Sequence, residues 1–185
     1  MEHDYLNSVT KQFEYYKILG DKTIHQLDDE KLFWCPNKES NSIAIIVGHL
    51  WGNMLSRWTD FLHSDGEKEW RNRDAEFEKS ITSKEELIQK WEAGWKCLFD
   101  ALASLNESNF NQTIYIRNQE HSITEAINRQ MMHYAYHIGQ IVFLGKLIQN
   151  KNWQPLSIPK GKSKDFNANK FGKGKHVGHF TDKIK

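Results

Sequence analysis

The sequence predicts an all-α fold: a four-helix bundle with a long loop between its second and third helices and a basic C-terminal tail. Four segments of about twenty residues place apolar residues at spacings of three and four, and two of them open with capping boxes. Because each segment must bury one apolar face, packing the four together satisfies them all. We expect the bundle to occupy residues 1–150 and the tail to occupy residues 151–185.

Polar stretches bound the first two helices. Apolar residues recur at helical spacing over residues 3–27, and the acidic run Asp28-Asp29-Glu30 ends that pattern. Ser40-Asn41-Ser42 then offers side chains that cap a helix N-terminus. We therefore predict a second helix over about residues 43–63, with its apolar stripe facing the core.

The third and fourth helices each begin with a capping box. Ser83-Lys84-Glu85-Glu86 opens the third helix, and Ser122-Ile123-Thr124-Glu125 opens a fourth that reaches about Ile148. Between them, residues 113–116 alternate weakly between polar and apolar side chains. That pattern predicts a short strand or an extended loop.

The long, charged loop over residues 64–82 has two interpretations. It is either a surface excursion held by Trp70 and Phe77, or a lid that brings charged side chains near a ligand. The charged candidates for such a lid are Arg73, Asp74 and Glu76.

Composition narrows the class of protein. Two cysteines, Cys35 and Cys97, are too few and too far apart for a disulfide framework or a CxxC metal site. The longest apolar run is about half of a membrane span, and the N-terminus lacks the pattern of a secretory signal. We therefore expect a cytoplasmic protein with no membrane partner. The tail holds eight lysines against two aspartates over residues 159–185, but no nucleic-acid motif accompanies it, so we expect a solvated tail and no nucleic-acid partner.

Two of the nine histidines, His133 and His137, are four residues apart on the fourth predicted helix. Their imidazoles therefore lie one turn apart on one face, beside the apolar stripe. Imidazoles at the border of a core need partners, because an unsatisfied buried polar group costs free energy. A metal ion would satisfy them, and so would hydrogen bonds to Gln130, Gln140 or water.

His49 is the natural third ligand. It lies in the most apolar part of the second predicted helix, on a face where Gly48, Gly52 and Ser56 leave space. It is either a core histidine with satisfied hydrogen bonds or a ligand that faces a cavity. Three histidines would leave coordination positions open on a divalent ion, as in catalytic sites. The remaining histidines are predicted to bind no metal: His3, His25, His63, His121, His176 and His179.

Several other chemistries lack their motifs. The residue after His133 is Tyr134, which excludes HExxH, and no glutamate lies three residues before either histidine of the pair, as a carboxylate di-iron site requires. No GxSxG motif supports a serine hydrolase. No obvious general-base carboxylate lies on the helix faces that carry the histidines.

The segments Val47-Gly48-His49-Leu50 and His133-Tyr134-Ala135-Tyr136-His137-Ile138-Gly139-Gln140 resemble the DinB/YfiT-like superfamily. The resemblance covers about residues 1–150. Within that superfamily, residues 70–77 and 157–163 resemble the DUF1572 group. The resemblance implies a DinB-like bundle that binds one divalent metal ion through His49, His133 and His137.

The resemblance also implies a class of activity and a partner. Relatives include metal-dependent thiol S-transferases that use bacillithiol or mycothiol, and a metal-dependent hydrolase. It therefore implies an enzyme that activates a low-molecular-weight thiol, or water, beside zinc, nickel, manganese or iron. The alternative is a noncatalytic metal-containing stress or binding protein. The resemblance and the seven tryptophans, more than one small core readily buries, predict a homodimer.

Overall fold

The computed structural model describes residues 2–78 and 80–182, and most of these lie in helices. In chain order the helices are α1 (Glu2–His25), α2 (Asp29–Leu32), α3 (Ile43–Trp58), α4 (Lys84–Ala103), α5 (Ile123–Gln149) and α6 (Ser163–Phe171). The hairpin strands β1 (Thr113–Ile116) and β2 (Gln119–Ser122) lie between α4 and α5. The predicted all-α class is confirmed, and α1, α3, α4 and α5 correspond to the four predicted helices.

Capping side chains set the starts of the long helices. Ser42 accepts a hydrogen bond from the N–H of Ile45 at the start of α3. At the start of α5, Ser122 and Glu125 form a reciprocal capping box. The predicted end of α3 near residue 63 is wrong, because the helix ends at Trp58 and Asp60 adopts a positive φ of 47°.

The long helices pack on one another. α1 contacts α4 and α5, and α3 contacts the same two helices. The fully buried Tyr134 on α5 lies at the centre, with the rings of Phe13 and Trp95 at 5.8 Å and 6.0 Å. Its hydroxyl accepts from Trp58 Nε1 at 3.0 Å and donates to Asn53 Oδ1 at 3.2 Å. These two bonds to α3 fix how α5 is rotated against α3.

The hairpin is anchored to the loop that follows α3. Arg117 and Asn118 form its turn with φ of 55° and 59°, the mirror-image geometry that suits a two-residue hairpin. The carboxylate of Asp65 accepts the N–H groups of both residues at 2.8 Å. Of the two expectations for residues 113–116, a short strand or an extended loop, the structure has the strand, β1. Its polar partner β2 carries no apolar alternation that could predict it.

Within the described residues, no helix is both long and apolar enough to cross a membrane.

Candidate metal centre

The structure brings His49 from α3 together with His133 and His137 from α5. His133 Nε2 lies 3.2 Å from His49 Nε2 and 3.1 Å from His137 Nε2. Possible ligand atoms of all three lie within 4.8 Å of one another. None of the other histidines in the described ranges belongs to a group that could hold a metal ion.

Two elements of the fold produce this convergence. The spacing of four residues stacks His133 and His137 on one face of α5. Tyr134, the next residue, is fixed to α3 through Trp58 and Asn53, so that the histidine face of α5 turns toward His49.

Outer hydrogen bonds orient two of the three imidazoles. The Nδ1–H of His49 donates to Glu76 Oε2 at 2.9 Å, and the Nδ1–H of His137 donates to Gln140 Oε1 at 2.8 Å. Because a carboxylate oxygen accepts but does not donate, the proton of His49 lies on Nδ1 and the lone pair on Nε2. This is how metal-binding histidines are oriented and made more basic.

Glu76 reaches His49 from the loop that joins α3 to α4. It lies in a 3₁₀ turn, Asp74–Phe77, and Arg71 donates to both of its carboxylate oxygens at 2.7 Å and 2.9 Å. A methyl group added to Gly52 would overlap that carboxylate, so the glycine makes room for it. In the same turn, the ring of Phe77 stacks on His49 at 4.9 Å.

The protonation of the imidazoles suits one metal ion bound between them. Burial, together with the nearby His137 and His49, lowers the pKa of His133 to about 3, and burial also lowers the pKa of His137. Both rings are therefore neutral at physiological pH, the form that binds metals. The Nε2 atoms of His49 and His137 can only accept, because these two rings carry their protons on Nδ1. A proton on His133 Nε2 can be donated to one of them, which leaves the other without a hydrogen bond. One divalent ion would satisfy all three Nε2 atoms.

The histidines open onto a cavity of about 390 Å³ between α3, α5, the loop and the hairpin turn. Gln130, Tyr136 and Phe77 contribute to its wall. Five arginines line it as well: Arg57, Arg71, Arg73, Arg117 and Arg129.

Some of the polar side chains expected near the imidazoles are found there. Of the two glutamines that the sequence offers as hydrogen-bond partners of the imidazoles, Gln140 binds His137, whereas Gln130 Oε1 is buried without a partner among the described residues. Of the charged loop residues, Glu76 contacts a histidine and Arg73 lines the cavity, whereas the exposed Asp74 does neither. The loop therefore places two of its three charged candidates beside the histidines or in the cavity wall.

Fold and site together define a helical protein with a three-histidine group that could hold a metal ion. Residues 1–162 match the model of a family described as "Protein of unknown function (DUF1572)", and the chain belongs to this family. The resemblance noted for residues 70–77 and 157–163 is thereby confirmed. A comparison with curated proteins finds none that matches. Function must therefore be argued from the site.

Proposed function

We propose that the protein is a divalent-metal-dependent enzyme of the thiol S-transferase type, with His49, His133 and His137 as the metal ligands. The observation that carries the proposal is the convergence of the three imidazoles, with His133 Nε2 at 3.2 Å from His49 Nε2 and at 3.1 Å from His137 Nε2. The hydrogen bonds of His49 and His137 to Glu76 and Gln140 support it, because they direct both lone pairs toward the same point.

The chemistry follows from three neutral ligands that leave coordination positions open. A divalent ion in such a site lowers the pKa of an adjacent thiol or water, so that thiolate or hydroxide is present near neutral pH. Glu76 and Gln140 hold the imidazoles in place, and Phe77 covers the outer face of His49. Tyr136 and Gln130 lie where a substrate would contact the wall.

The state of Glu76 favours a thiol over water as the activated group. Burial raises the pKa of Glu76, but its hydrogen bonds to His49 and Arg71 outweigh burial and hold the pKa below its ordinary value. A carboxylate bound in this way is a poor general base. A thiol needs such a base less than water does, because its pKa starts much closer to neutrality. Hydrolysis is the second candidate reaction for the same site.

We also infer that α1, α3, α4 and α5 form a DinB-like four-helix bundle that assembles as a homodimer. An exposed apolar stripe on α5 supports the dimer; its members are Met132, Tyr136, Phe143 and Leu147. Their spacings of four, seven and four place them on one helical face. Light scattering should give twice the chain mass of 21.8 kDa, and Phe143→Glu should shift the protein toward monomer. A wild-type protein that is monomeric at micromolar concentration would contradict the proposed dimer.

The function is tested by adding metals back to the full chain, purified without a histidine tag. Elemental analysis should first find about one divalent ion per chain. After chelation, zinc, nickel, manganese or iron should restore conjugation of a small thiol to a panel of electrophiles. A bound ion without turnover of any thiol or hydrolytic substrate would instead indicate a noncatalytic metal-binding protein. Hydrolysis that needs no thiol would indicate a hydrolase.

A further inference from the structure

All five arginines of the sequence line the histidine cavity, and no lysine within residues 2–78 and 80–182 does. They come from four different parts of the chain: Arg57 from α3, Arg71 and Arg73 from the loop, Arg117 from the hairpin turn and Arg129 from α5. The lysines supply positive charge across the rest of the molecule. Folding has therefore gathered one kind of cation in one cavity.

The difference between arginine and lysine matters for recognition. The guanidinium group presents its N–H donors in a planar fork that matches a carboxylate or phosphate with two parallel hydrogen bonds. A lysine ammonium is a compact point charge without that geometry. A wall that uses arginine throughout suits a ligand with planar or tetrahedral oxyanion groups.

The cavity has more positive charge than its acidic partners neutralise. Glu67 accepts from Arg57, Arg71 and Arg117, and Glu76 accepts from Arg71. The other two arginines have no carboxylate within ion-pair distance among the described residues. Arg129 donates to the neutral acceptor His121 Nε2 at 3.0 Å, and Arg73 lies over the ring of Phe77 at 5.3 Å. Three of the five guanidinium groups thus share two carboxylates, and the other two form no ion pair with a described residue.

Unsatisfied polar atoms lie in the same wall. Of the four buried side-chain polar atoms without a partner in the described part of the chain, three belong to residues of this cavity: Arg57 Nε, Gln130 Oε1 and His133 Nδ1. Native proteins satisfy most buried polar groups, so these polar side chains are packed around the cavity without a complete set of hydrogen-bond partners.

We propose that this cavity binds a small molecule carrying carboxylate or phosphate groups, and that Arg73 and Arg129 are the residues that recognise them. The inference rests on the proposed function, since the anionic molecule would be a substrate of the histidine centre. A volume of about 390 Å³ admits a small metabolite and excludes a folded macromolecule. Arg57 and Arg71, held by Glu67 and Glu76, form the fixed base of the cavity, whereas the exposed Arg73 is free to close on the ligand.

The test is titration calorimetry on the full chain with inorganic phosphate, malonate and the neutral malonamide. Both anions should bind and malonamide should not; the stronger of the two anions identifies the group that the ligand carries. Arg73→Gln/Arg129→Gln should weaken anion binding at least tenfold. Arg73→Lys/Arg129→Lys keeps the charge and should still weaken binding, because the fork is lost. Lys38→Gln/Lys151→Gln, which removes two exposed charges elsewhere, should change binding less than twofold.

A histidine variant distinguishes anion recognition from metal chelation. In His133→Ala/His137→Ala the arginines remain, and anion binding should persist even though the metal ligands are lost. Anion binding that disappears in this variant but survives in Arg73→Gln/Arg129→Gln would overturn the inference and leave the metal proposal intact. Equal binding of malonate and malonamide would also overturn it. If the purified wild-type chain binds anions but contains no metal, the result supports the inference and contradicts the proposed function.

Discussion

The histidine cavity differs from a larger cavity at the end of α1 and α4. The second has a volume of about 460 Å³ against about 390 Å³, and its wall is largely apolar, with Leu6, Leu102, Leu105 and Phe110. It contains a single histidine, His3, and a single carboxylate, Glu107. The histidine cavity is smaller, yet three imidazoles and five arginines converge there. Convergent polar groups, and not volume, therefore distinguish the candidate metal centre from the other cavity.

The two cavities also differ in how firmly hydrogen bonds hold their polar side chains. Around the histidines, hydrogen bonds tie His49, His137, Glu76 and Arg71 into fixed orientations. At the α1–α4 cavity, His3 has no such network with the residues that the structure describes. A site that performs chemistry needs groups held close to their working geometry, and only the first cavity meets this condition.

Removing imidazoles should have the largest effect, and metal binding should be lost only when the substitutions lie in the histidine cavity. His133→Ala/His137→Ala is expected to lose stoichiometric metal and any activity, because one remaining ligand cannot hold a divalent ion tightly. His3→Ala, in the apolar cavity, should keep both. Elemental analysis measures the metal, and circular dichroism shows that the helices remain. One tightly held ion per chain in the double variant would show that the histidine pair is structural.

Loss of the outer carboxylate should have the next largest effect. Glu76→Gln leaves an oxygen near His49 but removes the negative charge that orients the ring and raises its basicity. We expect metal affinity to fall about 10- to 100-fold, measured by competition with a chelator of known affinity. The matched control is Asp74→Asn, two residues away and exposed. Equal losses in both variants would mean that general loop charge, and not the bond to His49, is responsible.

A pair of glycine substitutions tests the same contact from the α3 side. Gly52→Ala should push the Glu76 side chain away from His49 and weaken metal binding by up to about tenfold, a partial version of Glu76→Gln. At Gly139 on α5 a methyl group would meet no atom within 4 Å. Gly139→Ala should therefore stabilise the protein by about 0.5–1 kcal/mol through helix propensity and leave metal affinity unchanged. Chelator competition and urea unfolding measure the two effects, and unchanged metal affinity in Gly52→Ala would contradict the contact.

Acid should destabilise the metal-free protein in a defined pH window. The folded-state pKa of His133 lies at about 3, whereas in the unfolded chain it returns to about 6.5. Between these values the unfolded state binds more protons, so stability falls as pH decreases, by about 1 kcal/mol per pH unit from this residue. Urea unfolding of metal-free wild type and His133→Gln from pH 7 to pH 4 should show a shallower slope in the variant. Identical slopes would mean that His133 is not held neutral by burial.

Much of this protein is determined locally, and that part is predictable from the sequence alone. The four long helices follow from apolar spacing, and the starts of α3, α4 and α5 follow from the side chains of Ser42, Ser83 and Ser122 that cap them. The alignment of His133 with His137 follows from the pitch of one helix. Because each feature depends on residues within about one helical turn of each other, no knowledge of the fold is needed to find it.

Other features depend on contacts between segments that are distant in the chain, and the tertiary structure alone determined them. The choice of Glu76 over Asp74 as the partner of His49 depends on how the loop crosses α3 at Gly52. Strand β2 exists because it pairs with β1 across a turn that Asp65 holds. The gathering of all five arginines around three histidines brings together residues from α3, the loop, the hairpin and α5. No local spacing relates these positions, because only the packing of the helices places them around one volume.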